Sequence, residues 1–246
     1  MPLDALLLSH LAKELDCGLT GVRVDKIHMP SRDEVVMALR TQKGSCKLLI
    51  SANGSGARLH VTEEARENPA TPPILCMLLR KHLGSARLLH IEQEPYERVA
   101  YLTFETIGEL GDYENITLVI EMMGRSSNII LLDGERRVIA AMSYIDISEE
   151  KSRQLIVGVP YELPKKQDKC SPADGLEAVE DYILAAKGTI PADKYLIDGI
   201  TGLSPLIARE CVCRAAGRTA VLAGELTLEQ KMSLYRIVSD MFMGGD

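Results

Sequence analysis

No tryptophan occurs in the 246 residues, and phenylalanine occurs only twice. That scarcity argues against a surface built as a row of aromatics stacking on single-stranded bases. No apolar run reaches the roughly 18 residues a membrane-spanning helix needs. Met1-Pro2-Leu3-Asp4 also lacks the basic start, apolar middle and cleavage site of a signal peptide, so a cytoplasmic protein is expected, with no membrane partner. The six cysteines (Cys17, Cys46, Cys76, Cys170, Cys211, Cys213) never stand at the two-residue gap of zinc and redox motifs, and the five histidines are isolated. Reduced structural thiols and no metal follow. No glycine loop of the phosphate- or dinucleotide-binding type is present, nor a nucleophile-elbow serine with histidine and acid, so no cofactor is expected and an enzyme is disfavoured. The net charge of −7 excludes a general nucleic-acid coat but leaves room for a local basic face.

What is present is a soluble globular composition, 46% hydrophobic and 26% charged, in a chain long enough for two domains. Asp4 is placed to cap a helix running to about Cys17, with Leu7, Leu8, Leu11 and Leu15 on one stripe and Gly18 as its stop. Short β-patterned runs follow at Val22 to His28, Glu34 to Arg40, Lys47 to Ser51 and Arg58 to Val61. They are broken by Pro30-Ser31, Lys43-Gly44-Ser45 and Asn53-Gly54-Ser55-Gly56, which implies an antiparallel meander. Thr71-Pro72-Pro73 reads as the capped start of a second helix that stops at Gly84. A second set of strands covers Arg87 to Glu94, Arg98 to Glu105, Thr117 to Met123, Ser127 to Asp133 and Arg137 to Ser143, with a hairpin turn at Asp133-Gly134. The N-terminal part is therefore α+β, an antiparallel sandwich or partly open barrel flanked by helices. A Pro- and Lys-rich stretch from Val159 to Pro172 reads as a linker. Helical patterns then occupy Gly175 to Lys187, Ala192 to Asp198, Ser204 to Ala216 and Thr227 to Met243. The expected domains are 1–168 (α+β) and 174–246 (all-α).

One turn carries more polarity than a turn needs. Between two apolar runs stand Glu121, Met122, Met123, Gly124, Arg125, Ser126, Ser127 and Asn128. Gly124 permits close backbone approach, Arg125 offers a fork for phosphate or a base edge, and Ser127 and Asn128 can bond many polar groups. Glu97-Arg98 puts a charged pair at the start of a strand, where edge charges also serve simply to block aggregation. Arg80, Lys81 and His82 fall in the last turn of the second helix, where cations complement the dipole. Leu196 to Ala208 looks like a helix-hairpin-helix whose turn at Gly202 and cap at Ser204 would present amides to a phosphate. Against this, residues 174–246 hold 7 Lys/Arg and 11 Asp/Glu, a poor balance for gripping a duplex.

Asn68-Pro69-Ala70-Thr71-Pro72-Pro73 leading into Cys76 to Leu83, the Glu97-Arg98 pair and Glu121 to Ile130 together resemble the N-terminal part of the NFACT family. These are ribosome quality control factors whose bacterial members are often labelled fibronectin-binding proteins. The helical part looks like the helix-hairpin-helix module that follows in that family. The resemblance implies binding to a large ribosomal subunit that carries an obstructed nascent chain. It also implies recruitment of a tRNA, alanine tRNA in bacterial members, for untemplated C-terminal tailing. It places Glu97, Arg98, Glu121, Met122, Met123, Gly124, Arg125, Ser127 and Asn128 at the tRNA. Arg80, Lys81, His82, Gly202 and Ser204 are candidate RNA-backbone contacts. Glu97 departs from the family's usual aspartate. Family members also continue into a coiled coil and a further RNA-binding domain, so a fragment is expected. The family fold is similar to that of formamidopyrimidine-type DNA glycosylases, which leaves a DNA-repair enzyme as an alternative. Here Pro2 would be the attacking residue, though Leu3 stands where those enzymes have an acid. A fibronectin-binding adhesin is the third reading.

Overall fold

The computed structural model describes residues 3–42, 44–64, 66–108, 111–146 and 153–243; Pro2 and Lys43 lie outside the described residues. The first half holds α1 (Ala5–Leu19), β1 (Arg23–Ser31), β2 (Glu34–Thr41), β3 (Gly44–Ser51), β4 (Arg58–Thr62) and α2 (Ile74–Leu83). Then come β5 (Arg87–Gln93), β6 (Val99–Ile107), β7 (Tyr113–Glu121), β8 (Asn128–Leu132) and β9 (Val138–Ala141). Four helices follow: α3 (Leu176–Leu184), α4 (Ala192–Gly199), α5 (Pro205–Ala216) and α6 (Leu228–Met243). Two compact units result. One comprises Leu8–Glu94 and Arg98–Lys165, and the other joins Asp4–Leu7 and Pro95–Glu97 to the chain from Lys166 onward.

In the first unit all nine strands form one antiparallel sheet in the order β4-β3-β2-β1-β5-β6-β7-β8-β9. The β1–β5 register is limited to Arg23 opposite Arg87, so the two halves of the sheet separate beyond that point and fold toward each other. Their inner faces share one core, with Met37, Leu48 and Leu59 from the first half and Phe104, Leu118 and Ile129 from the second. The β3–β4 and β7–β8 turns meet as a result: a Cβ at Gly54 would lie 3.4 Å from the Arg125 Cα. This is the α+β architecture expected, with α2 burying Leu75, Cys76, Leu79 and Leu83 in the same core.

Several local expectations change for physical reasons. In α1, Asp4 Oδ1 accepts from the Leu7 amide at 2.8 Å as a cap, but the helix passes Gly18. Leu8, Ala12, Leu15 and Leu19 make the buried stripe, while Leu7 falls one helical step off it and is exposed. Thr71 does not cap α2. The residue before a proline is held out of the helical region, so Thr71 and Pro72 stay outside. The Pro73 cap position supplies no side-chain bond. Pro30 lies inside β1 rather than between strands, at the register shift between His28 and Ser31, where a missing amide costs least.

Every residue of β8 is buried because both faces of the sheet are covered there. Ile129 and Leu131 point to the shared core. Ile130 and Leu132 meet Val99, Tyr101, Val119, Leu155 and Tyr161 on the other side. Of that cover, Tyr161 belongs to the stretch read as linker and Leu155 lies just before it. Val138 donates to the Val159 carbonyl at 2.9 Å and Tyr161 to that of Arg136 at 2.8 Å. The Pro and Lys content of 159–172 hides a segment whose Tyr161 is buried.

Two histidines of this unit make its stability pH-dependent. Burial holds the pKa of His28 below its ordinary value, helped by Arg80 and Lys26. Burial does the same for His60; Arg58 and Arg66 add to it, and Glu64 and Glu34 partly oppose it. The unfolded chain therefore takes up these protons at a higher pH than the native one does. Their neutral forms stabilise the fold above the ordinary value of 6.5, and stability is lost as pH falls below it. Melting temperatures measured from about pH 8 to pH 5 should fall below about pH 6.5, and His28→Gln/His60→Gln should flatten that decline.

The second unit packs α3 to α6 around Val179, Ile183, Leu196, Cys211, Val212 and Val238. Ser204 caps α5, its Oγ accepting from the Ile207 amide at 3.3 Å. The Tyr182 and Tyr195 rings stack with centroids 4.5 Å apart. Each hydroxyl donates to the other residue's carbonyl, at 2.9 and 3.0 Å.

Candidate functional site

Strand register assembles the site. Val99 pairs with Glu121 and Glu121 with Asn128, so the start of β6, the end of β7 and the start of β8 lie side by side. Arg98 and the Met122–Ser127 turn therefore share one end of the sheet, where the Met122 amide donates to the Arg98 carbonyl at 2.8 Å. Glu97 and Arg98 stand in a bend, and β6 begins one residue later than expected, at Val99. Face alternation along a strand does not govern this pair. In the helical unit, Tyr96, at φ +60°, meets Phe242 edge-on with centroids 5.2 Å apart, and Glu97 follows that anchored residue. Arg98 is half-buried and Arg125 exposed. Among the described residues neither guanidinium has an ion pair or hydrogen bond.

The turn that presents Arg125 is closed by its own backbone hydrogen bonds. Gly124 opens a single 3₁₀ turn, Gly124–Ser126, with φ +58°, a conformation that glycine adopts without strain. Its Ser126 and Ser127 amides donate to the Met123 and Gly124 carbonyls at 3.1 and 3.0 Å. Asn128, expected to face a ligand, is turned inward: its Nδ2 donates to the Ser143 carbonyl at 2.8 Å and its Oδ1 accepts from the Ser143 amide at 3.0 Å. Met122 is buried in the shared core, and Met123 packs on the opposite face. Ser127 is buried, and its Oγ has no partner among the described residues.

Glu121 is the largest departure from a solvent-facing site. It shares a sheet face with Val119 and is fully buried. Arg153 grips it with both terminal nitrogens, at 2.8 and 2.6 Å, and the Tyr161 hydroxyl donates to it at 2.8 Å. Burial pulls the Arg153 pKa down, but the hydrogen bonds and charge of Glu121 outweigh this and raise it. Burial and then the Glu121 charge push the Tyr161 hydroxyl up. Glu121 thus ties Arg153 and Tyr161 to the end of β7 that leads into the Arg125 turn. Neither partner was legible in the sequence. The available signal was a carboxylate at a buried phase of an apolar strand, which demands a buried cation.

The remaining candidates lie elsewhere. Arg80 is exposed, but its Nε donates to the Ile27 carbonyl at 2.7 Å, tying α2 to β1. Lys81 is exposed and His82 half-buried in the same turn. Gly202 has φ +88°, and a Cβ there would come within 3.2 Å of the Tyr96 carbonyl oxygen. The Ser204 hydroxyl donates to Asp4 Oδ2 at 2.8 Å. A carboxylate therefore occupies the approach to the α5 cap, and its charge would repel a phosphate there. Gly202 and Ser204 serve packing and capping in place of the expected phosphate cradle.

The family model for NFACT N-terminal and middle domains matches residues 4–244. An Rqc2 homologue, RqcH, of Bacillus subtilis (strain 168) is 38% identical over 237 residues, which is 94% of this chain and 40% of the relative. The RqcH protein of Streptococcus pneumoniae (strain D39) is 34% identical over 173 residues, 70% of this chain and 31% of its own. The chain thus spans less than half the length of these relatives. Among solved structures, the N-terminal part of a fibronectin/fibrinogen-binding protein from Streptococcus suis superposes with a TM-score of 0.77. It is 29% identical, over 95% of this chain and 84% of that one.

Proposed function

From the premise that the chain belongs to the NFACT family, we propose that it is the RNA-binding part of a ribosome quality control factor. It acts in the cytoplasm on large ribosomal subunits obstructed by a nascent chain, and recruits alanine tRNA for untemplated C-terminal tailing. It works by positioning the tRNA, with no covalent step of its own. Relatives named as ribosome quality control complex subunits support this reading, among them a Saccharomyces cerevisiae protein 31% identical over 153 residues. The observation that carries it is the presentation of Arg98 and Arg125, both without internal partners among the described residues, at one end of the sheet. Two such guanidiniums suit RNA phosphates or base edges. In this reading Arg98 with Gly124 and Arg125 makes the contact surface of the first unit, Glu121, Met122 and Asn128 hold it in shape, and Glu97 contributes from the residue that precedes Arg98 in the chain.

The test is binding of labelled alanine tRNA to the chain and to Arg98→Ala and Arg125→Ala. Each variant should lose roughly tenfold in affinity with an unchanged melting temperature. Arg125→Ala should also make binding less salt-dependent. Equal affinity for all three proteins would remove the site. A second reading comes from the name of the Streptococcus suis neighbour, a fibronectin/fibrinogen-binding protein. A solid-phase assay with immobilised fibronectin and the same variants separates it from the first.

A further inference from the structure

Beside the Arg125 turn, within the first unit, a groove of about 790 Å³ opens between the start of α2 and the end of β9. That volume lies in the range of small-molecule sites. Met29, Leu78 and Met142 line it. Ile74, 81% exposed, and Tyr144, 51% exposed, also belong to its lining. Large apolar groups left this open in one cavity mark a surface that another molecule covers. We infer that the groove holds an unstacked nucleobase of the bound RNA, an inference that rests on the tRNA reading proposed above.

Three features select a base with its attached phosphates over a purely apolar occupant. Arg32 lines the groove, is exposed, and has no ion pair or hydrogen bond among the described residues. It is a free cation where the phosphate of an inserted nucleotide would sit. Asp33 lines the groove as well; hydrogen bonds from Ser31 first and also from Asn53, against some cost of burial, keep its carboxyl ionised below the ordinary range. It can accept from the amino edge of adenine, cytosine or guanine. Tyr144 supplies an aromatic face, the usual platform for a base splayed out of its stack.

The groove is also built into the proposed site. Its Ser143 is clamped by both side-chain atoms of Asn128. Its Asp33 Oδ2 accepts from Asn53 Nδ2 at 2.8 Å, and the next residue, Gly54, lies against Gly124 and Arg125. The groove and the Arg125 turn are thus joined through Asp33, Asn53 and Gly54.

Two experiments on the full chain test this. In the first, the methyl NMR signals of Met29, Ile74 and Met142 are followed with millimolar adenosine, guanosine, cytidine and uridine 5′-monophosphates and with ribose 5-phosphate. The nucleotides should shift the signals by ring current, most strongly those with amino-bearing bases, and ribose 5-phosphate should not. Silence toward all four nucleotides, or equal shifts from ribose 5-phosphate, overturns the base pocket. In the second, Tyr144→Ala and Ile74→Glu, both at exposed positions, are compared with Arg125→Ala in alanine-tRNA binding. Tyr144→Ala should cost about tenfold. Loss of affinity in Arg125→Ala alone overturns the pocket and leaves the tRNA reading in place. Nucleotide shifts in a chain that binds no tRNA uphold the pocket and overturn that reading.

Discussion

Replacing Arg153 by alanine destabilises the first unit by about 3–5 kcal/mol, because it strands the Glu121 carboxylate in the interior without its cation. For a unit of this size that is a drop of roughly 10 °C in melting temperature. The magnitude follows from geometry: Glu121 is fully buried, and Arg153 supplies its cation and two of the three side-chain hydrogen bonds it accepts. Tyr161 alone cannot neutralise the charge that remains. Glu121→Leu/Arg153→Met removes the buried charges together and should recover most of the loss, since a buried pair replaced by apolar groups of similar volume is close to neutral. Thermal denaturation of the three proteins decides the matter. A single mutant as stable as the parent would show that Glu121 is solvated or protonated. If the double mutant is stable but binds tRNA poorly, the pair's contribution is the shape of the Arg125 turn and not its stability.

Gly199→Ala disrupts the helical unit by about 3 kcal/mol or more. A Cβ at this position lands inside the ring of Tyr182. That ring cannot swing aside freely, because it is stacked on Tyr195 and the two hydroxyls are tied to each other's carbonyls. The same substitution also strains the bond from the Cys170 amide to the Gly199 carbonyl, 2.8 Å long. Calorimetry should show the transition of this unit shifted down. Tyr182→Ala introduced into Gly199→Ala should restore part of the stability, a coupling that independent sites would not show. Additive losses in the double mutant would place the strain elsewhere.

The antiparallel strands were legible in the sequence because period-2 patterning and turn residues agree along them. The covering of both faces of β8 was not: Tyr161 sits in a stretch whose composition reads as linker, and Leu155 lies just before it, outside every strand and helix the sequence suggested. For the candidate site, Gly124 and Arg125 could be picked out by residue type alone. Their neighbours Glu121 and Asn128 could not be sorted into contact or support. That distinction depends on Arg153 and Ser143, which are distant or unpatterned in the chain. The helical hairpin misled for a related reason: its glycine and serine do form a turn and a cap, but Asp4, far away in sequence, takes the hydroxyl.

The meeting of Gly54 with Gly124 and Arg125 also bears on loop length. Two hairpins far apart in the chain share one clearance, so neither can gain a residue unless the other gives way. Lengthening either hairpin alone would press on the other, so a change made in one loop is felt in both.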